Sequence, residues 1–466
     1  MNQASTPTLL RQLGLYSAIA LVISNMVGTG IFTATGFLAG QLGQPNLVLI
    51  IWVMGAAFAL IGAFCYSELG INFPASGGEY VYLTHCYGPT WGFMSGWTSF
   101  FAGFSAPIAA SALAFADYSG YFFPAFKQEN AIWRWGSGDF GLQVGGAQAA
   151  ACGLILVFTI LNLFGVQFIA RIQNALTSVK VLVMVAFIGL GFAIGNGDWA
   201  HLSQATERNV NTPLAAQFAI SLFWIYVSYS GWNAATYVAE ELKRPARTLP
   251  LALMYGTALV AGLYLLFNVA FIYATPLEKM KGVIAVGSLT AEALFGPEGA
   301  RIFSGLLAIS LMSTVNAMVT IGPRLYYAMA KNRAFHPIAA QIHPEWRTPV
   351  AAILCQGVCS MLMTFVNFGN LIVYIGFLLN FFAVLAVASL FRFRNRPGWQ
   401  KLGVVSFAFP LLPAAFVLLG LWMTVFGATL APAIAAGATL TLVSGALVYH
   451  FRIRPAIASA PSNATE

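Results

Sequence analysis

Long apolar runs follow one another from residue 14 to residue 451, and they decide what this chain can fold into. A membrane-crossing helix needs about 20 mainly apolar residues. Twelve runs qualify: 14–41, 47–73, 91–123, 147–169, 174–196, 214–241, 249–275, 299–330, 349–367, 370–391, 403–426 and 429–451. Charged types make up only 8% of the 466 residues and hydrophobic types 59%. A soluble fold with so few charges would expose large apolar patches. The solvent for most of this surface is therefore lipid. The expected fold class is an all-α membrane protein with 12 transmembrane helices and no separate soluble domain.

The charges sit in short clusters between the runs. Lys and Arg favour the cytoplasmic side of a membrane. With the N-terminus inside, fourteen fall on inner segments: Arg11, Arg171, Lys243, Arg244, Arg247, Lys331, Arg333, Arg347, Arg392, Arg394, Arg396, Lys401, Arg452 and Arg454. Six fall outside: Lys127, Arg134, Arg208, Lys279, Lys281 and Arg301. Both termini are expected in the cytoplasm. The net charge of +8 is thus topological. It forms no basic stripe interleaved with aromatics, so no nucleic-acid partner is expected. The first run is long and Gly-interrupted and lacks a small-residue cleavage signal, unlike a secretory leader.

The five cysteines, Cys65, Cys86, Cys152, Cys355 and Cys359, form no CxxC and have no metal-ligand spacing. The five histidines lie in loops or at run ends. No phosphate-binding loop or nucleophile elbow occurs. Catalysis, a resident metal, a cofactor and ATP-driven pumping are all unexpected.

The first run is interrupted at Gly28-Thr29-Gly30. Glycine costs a helix roughly 1 kcal/mol relative to Ala. Two of them around a Thr at mid-membrane favour unwinding, which is tolerated there only inside protein or along a cavity. Such a pair also suits close helix packing. If the helix restarts near Ile31, its free N–H groups and positive dipole end suit a carboxylate. The sixth run has its own interruption, Tyr226-Val227-Ser228-Tyr229-Ser230-Gly231-Trp232-Asn233. Gly231 lies 201 residues after Gly30, and the same offset maps run 5 onto run 10. Paired broken helices at matching places point to an inverted-repeat transporter. Five spans are an odd number, so the second half enters the membrane from the opposite side. Residues 1–200 form the first repeat, 201–395 the inverted repeat, and 396–466 two added helices and a tail. Free carbonyls at the second break suit an ammonium group.

At these residues the chain resembles the amino acid–polyamine–organocation superfamily, in its L-type amino acid transporter branch with bacterial members. The motifs are Val27-Gly28-Thr29-Gly30-Ile31-Phe32, Pro74-Ala75-Ser76-Gly77-Gly78-Glu79-Tyr80, Tyr229-Ser230-Gly231-Trp232-Asn233, Glu240-Glu241 with Pro245 and Arg247-Thr248-Leu249-Pro250, then Asn316 and Arg324-Leu325-Tyr326-Tyr327. The resemblance implies a LeuT-like five-plus-five inverted repeat with discontinuous helices 1 and 6, alternating access, and a central amino acid site. It puts the substrate carboxylate at Gly28, Thr29 and Gly30. It puts the amine at carbonyls near Met26, Val227 and Ser230, with Gly231 at the second break. Trp232 and Asn233 would shape the side-chain pocket. Relatives often carry an aromatic gate where this chain has Val227, which leaves Tyr226 or Tyr229 as the gate, with Glu240 at the inner mouth. Animal members bind a single-span partner through a Cys between spans 3 and 4. Residues 124–146 contain none, so no disulfide-linked accessory chain is expected.

Lys180 sits inside run 5. A mid-span Lys costs about 2.5–3.5 kcal/mol, so it faces the bundle interior unless it snorkels to the surface. Facing inward, it is a fixed cation beside the first break and can exchange a proton. The resemblance allows a Lys here in place of sodium, which implies sodium-independent exchange or proton symport. Glu68 and Asp117 lie near span ends, and Glu240 and Glu241 lie beside Lys243, Arg244 and Arg247, with which they are expected to pair at the inner mouth. With no acid near either break, a neutral amino acid is expected. The alternative is a cationic amino acid or polyamine exchanger. A channel or receptor is the rival class, although a channel calls for polar rings rather than paired broken helices. The expected location is the plasma membrane, the inner membrane of a bacterium.

Overall fold

The computed structural model describes residues 10–135, 142–283, 285–366 and 368–455. Among them, eleven helices are long and apolar enough to cross a membrane. Spans 1 to 8 are Leu15–Leu42, Pro45–Asn72, Pro89–Ser119, Gly146–Phe164, Val166–Ile194, Leu214–Glu241, Pro245–Ala274 and Val286–Lys331. Span 10 is Phe368–Phe393, and spans 11 and 12 are Leu411–Leu430 and Pro432–Ile453.

The expected run 349–367 is the exception. Its helix, Val350–Met363, has 14 residues, about 21 Å at 1.5 Å per residue. The rest leaves the helix to meet a hairpin of Trp133–Trp135 and Leu142–Val144: Gln143 N donates to Phe365 O at 2.9 Å, and Leu142 pairs with Val366. Among the described residues there are therefore twelve apolar helical segments, eleven of them of spanning length.

Apolar helices gain little from lipid exclusion, so close packing through small residues holds them together. Gly256 of span 7 admits Val22 of span 1, and Gly55 of span 2 admits Ile225 and Tyr229 of span 6. The packing repeats itself between the halves. Span 2 lies along span 7 and span 3 along span 8. Span 1 meets span 5 as span 6 meets span 10, and span 3 meets span 4 as span 8 meets Val350–Met363. Spans 1, 3 and 8 are among the most enclosed, and spans 11 and 12 are the most exposed to surrounding lipid. A short helix, Glu79–Tyr87, joins spans 2 and 3 and is buried along its first turn.

Candidate substrate cavity at two broken helices

Both expected interruptions are present. Span 1 consists of Leu15–Met26 and Thr29–Leu42, separated by Val27 and Gly28. The second half starts at Thr29 rather than Ile31, because Val27 and Gly28 absorb the turn between them: the Gly28 N–H donates back across Val27 to Met26 O at 2.8 Å. Span 6 runs as Leu214–Tyr229, turns through Ser230 to Asn233, and continues as a tight 3-10 helix, Ala234–Glu241. Gly231 takes φ +98° in that turn, a conformation open mainly to glycine.

The breaks touch. A Cβ on Gly30 would sit 2.5 Å from Ser228 Cα, and one on Gly231 would sit 2.7 Å from the Asn25 backbone. The packing and unwinding uses of glycine thus coexist, at different residues. Tyr264 of span 7 ties the two breaks together. Its hydroxyl reaches Met26 O at 2.6 Å and Ser228 O at 3.1 Å. The Met26 carbonyl, expected to receive an amine, already accepts from this phenol and from the Gly28 N–H, which occupies both of its lone pairs. Val227 O accepts Ser230 N at 3.1 Å.

Two small compartments abut at the breaks, sharing Asn25, Pro107, Ser230 and Met318. One, about 30 Å³, is lined by Met26, Gly28, Thr29, Gly30 and Val227 together with Ser111 and Thr314. Here the N-terminus of Thr29–Leu42 and the C-terminus of Leu214–Tyr229 meet the same space. Helix N-termini carry partial positive charge and unpaired N–H groups, and C-termini carry the opposite. The other compartment, about 40 Å³, is lined by Phe104, Tyr226, Gly231, Trp232, Asn233 and Tyr237, with Glu79 at its edge.

Glu79 is the residue the sequence did not reveal. Its Oε1 accepts from Tyr66 Oη at 2.8 Å and from Asn233 Nδ2 at 2.9 Å, and its Oε2 accepts from Tyr237 Oη. The expectation of no acid near the breaks is corrected. Glu79 follows span 2 in the chain, but the helix it starts packs on spans 3 and 10, and that places the Glu79 carboxylate against Asn233 and Tyr237 of span 6. Glu79 lies in the motif Pro74-Ala75-Ser76-Gly77-Gly78-Glu79-Tyr80, which marked the segment without giving this acid a role. Gly78 has φ +53°, and a Cβ there would meet Tyr237 at 2.9 Å.

Lys180 faces inward and does not snorkel. Span 5 turns Gln173, Thr177, Lys180, Met184 and Phe187 inward, at helical spacing, while Val179 and Leu182 face out. The fully buried Nζ donates to Val27 O at 2.6 Å, Thr314 Oγ1 at 2.8 Å and Ser24 O at 3.3 Å. No carboxylate lies within ion-pair distance among the described residues. The ammonium is therefore bound by the carbonyls that the break in span 1 sets free. Beside it a chain of side chains runs Ser24–Ser313–Gln173–Asn316–Asn162–Thr320, with links of 2.6–3.0 Å.

The remaining candidates are placed as follows. Trp232 packs edge-on to Tyr66 with ring centroids 4.6 Å apart. Tyr226 lines the larger compartment. Tyr229 lines neither; its ring packs against Trp52 and Tyr264, and its hydroxyl donates to Trp52 O at 3.2 Å. Glu240 also lines neither, and its N–H donates to Ser76 Oγ. Glu241 does not pair with Lys243, Arg244 or Arg247. It pairs at 2.8 Å with Arg324 of span 8, both side chains 1% exposed. The exposed cations are better solvated, whereas buried Arg324 needs a counterion. Glu68 clamps Arg394 in a fork at 2.6 Å and also accepts from Trp399 and the Leu402 N–H. Asp117 accepts twice from Gln128. Neither acid reaches the cavity.

Two helices broken at facing places around a shared cavity, in a bundle whose packing repeats between its halves, define a membrane carrier for a small solute. The chain belongs to the amino acid permease family, whose pattern matches residues 13–449, and it is an amino acid transporter. It is 29% identical over 453 residues to the large neutral amino acids transporter small subunit 2 of Mus musculus, covering 96% of this chain and 81% of that one. It is 26% identical over 412 residues to the serine/threonine exchanger SteT of Bacillus subtilis (strain 168), covering 87% and 88%. The Asc-type amino acid transporter 1 of Homo sapiens is 26% identical over 453 residues, covering 96% and 83%.

Proposed function

We propose that the chain exchanges neutral L-amino acids across the plasma membrane by alternating access, without sodium. The observation that carries this reading is the meeting of oppositely signed helix ends at one cavity. The N–H groups of Thr29 and Gly30, beside Gly28, receive the substrate carboxylate, and the carbonyl side at Val227 and Ser230, beside Met26, receives the ammonium. A zwitterion satisfies both ends at once, whereas a simple anion or cation satisfies one. Gly231, Trp232 and Asn233 hold the side chain. Tyr226 is the aromatic lid, since it lines the cavity and Tyr229 does not. Glu240, apart from the cavity, closes the inner mouth through Ser76.

Lys180 supports sodium independence. Its ammonium uses the Val27 and Ser24 carbonyls, oxygen ligands that a hard cation would otherwise need. The names of the mouse and Bacillus relatives favour a neutral substrate and exchange over a polyamine. Exchange is preferred to proton symport, with Lys180 coupling the state of the break to the substrate. The excess of Lys and Arg on one set of loops favours cytoplasmic termini and, in a bacterium, the inner membrane. The chain functions without a disulfide-linked partner.

Counterflow into proteoliposomes tests the reading. Labelled leucine, threonine, lysine and spermidine are offered against the unlabelled compound inside, in sodium or in choline medium. Saturable uptake of neutral amino acids, equal in both media, is the expected result. Steep sodium dependence, or currents far above carrier turnover, refutes it.

A further inference from the structure

The head-group clamp says nothing about the far end of the substrate, and there the structure has a polar feature that the clamp leaves unused. We propose that Glu79 reads the substrate side chain: it accepts a hydrogen bond from a hydroxyl or carboxamide, so the carrier favours neutral amino acids bearing such a donor over their hydrocarbon isosteres. The proposal rests on the amino acid reading above and narrows it.

An ionised carboxylate has about four acceptor positions. Tyr66 and Asn233 fill two on Oε1, and Tyr237 fills one on Oε2. The fourth has no partner among the described residues. All three donors are neutral, and no Lys, Arg or His lies within ion-pair distance among the described residues. Glu79 lines the larger compartment, which abuts the one at Gly28, Thr29 and Gly30 through Asn25 and Ser230. A substrate whose head group lies between the helix ends therefore extends its side chain toward the carboxylate. Trp232, Phe104 and Met318 supply apolar wall along the way.

Desolvated acceptors penalise a ligand that cannot donate. A site built around a hydrogen bond to the ligand rejects the analogue lacking it far more strongly than an apolar pocket rejects an added hydroxyl. The open position calls for a hydrogen-bond donor on the ligand.

The threonine–valine pair tests this, because the two are nearly isosteric. In counterflow with the full-length protein, threonine is expected to exceed valine in kcat/KM by about tenfold or more. Glu79→Gln turns one acceptor into an amide donor facing phenol donors, and should bring that ratio near one. Tyr66→Phe removes one donor and opens a second acceptor position, and should raise the ratio. It keeps the proposal testable if Glu79→Gln fails to fold. Equal threonine and valine uptake in the wild type, or a ratio unmoved in both variants, overturns the assignment while leaving amino acid transport standing. A lysine-over-norleucine preference that vanishes in Glu79→Gln overturns the neutral-donor assignment. Failure of every amino acid to drive counterflow removes both this proposal and the transport reading.

Discussion

Gly28 and Gly30 look equivalent in the sequence, and the structure predicts that they are not. Replacing Gly30 by Ala would place a Cβ 2.5 Å from the Ser228 Cα, where even a tight contact needs 3.0–3.4 Å. Backbone cannot rotate away, so the first turn of Thr29–Leu42 and the last of Leu214–Tyr229 must separate by several tenths of an ångström or more. Overpacking of this kind costs about 1–3 kcal/mol, or roughly 5- to 150-fold at about 1.4 kcal/mol per tenfold. The cost falls on substrate affinity, because the two helix ends forced apart are those that clamp the head group. At Gly28 the nearest non-backbone atom is Thr314 Cγ2, 3.5 Å away, an ordinary contact. Gly28→Ala should therefore stay within about threefold of wild type. Ser228→Gly should not rescue Gly30→Ala, since the clash is with Cα. The assay is counterflow in proteoliposomes, with size-exclusion of the detergent-solubilised variants to show that each inserts and folds. Normal uptake by Gly30→Ala, or a loss in Gly28→Ala as large as in Gly30→Ala, would refute the reasoning.

Two further predictions concern buried charge. Lys180→Met removes a charged donor from the Val27 and Ser24 carbonyls and the Thr314 hydroxyl. Charged hydrogen bonds contribute about 1.5–3 kcal/mol each, so uptake should fall at least tenfold while the protein still inserts; an unchanged rate, pH profile and exchange ratio would remove the coupling role. Arg324→Met strands the Glu241 carboxylate in a site 1% exposed, at a cost of about 3–5 kcal/mol. Its thermal midpoint in detergent should drop sharply and recover in the double variant with Glu241→Met, and a double variant no more stable than the single one would show that the pair is not the cause.

The broken helices were legible because glycine acts locally. Two interruptions in otherwise continuous apolar runs mark where a helix cannot continue, and the structure places them within two residues of the expected points. Lys180 was legible for a related reason: the cost of a charge in lipid applies wherever the chain folds. Tyr226 and Tyr229 were not separable, being three apart on one helix and therefore on neighbouring parts of its surface. Only the neighbours, Trp52 and Tyr264 on one side and Phe58 on the other, assign Tyr229 to the packing and Tyr226 to the cavity. The partner of Glu241 was misjudged because proximity in sequence favoured Lys243, Arg244 and Arg247, whereas burial selected Arg324.

The sequence by itself determined the medium, the helical class, the two breaks and the buried cation. Each follows from a local property: apolar length, glycine's freedom, or the desolvation of one charge. Only the tertiary structure decided what faces the breaks. Glu79 lies 154 positions before Asn233 and becomes part of the cavity only when the start of the helix after span 2 meets the broken half of span 6. Gly30 and Ser228 acquire their contact only when two helices cross. Such pairings depend on how helices approach one another, and no spacing along a single apolar run encodes that.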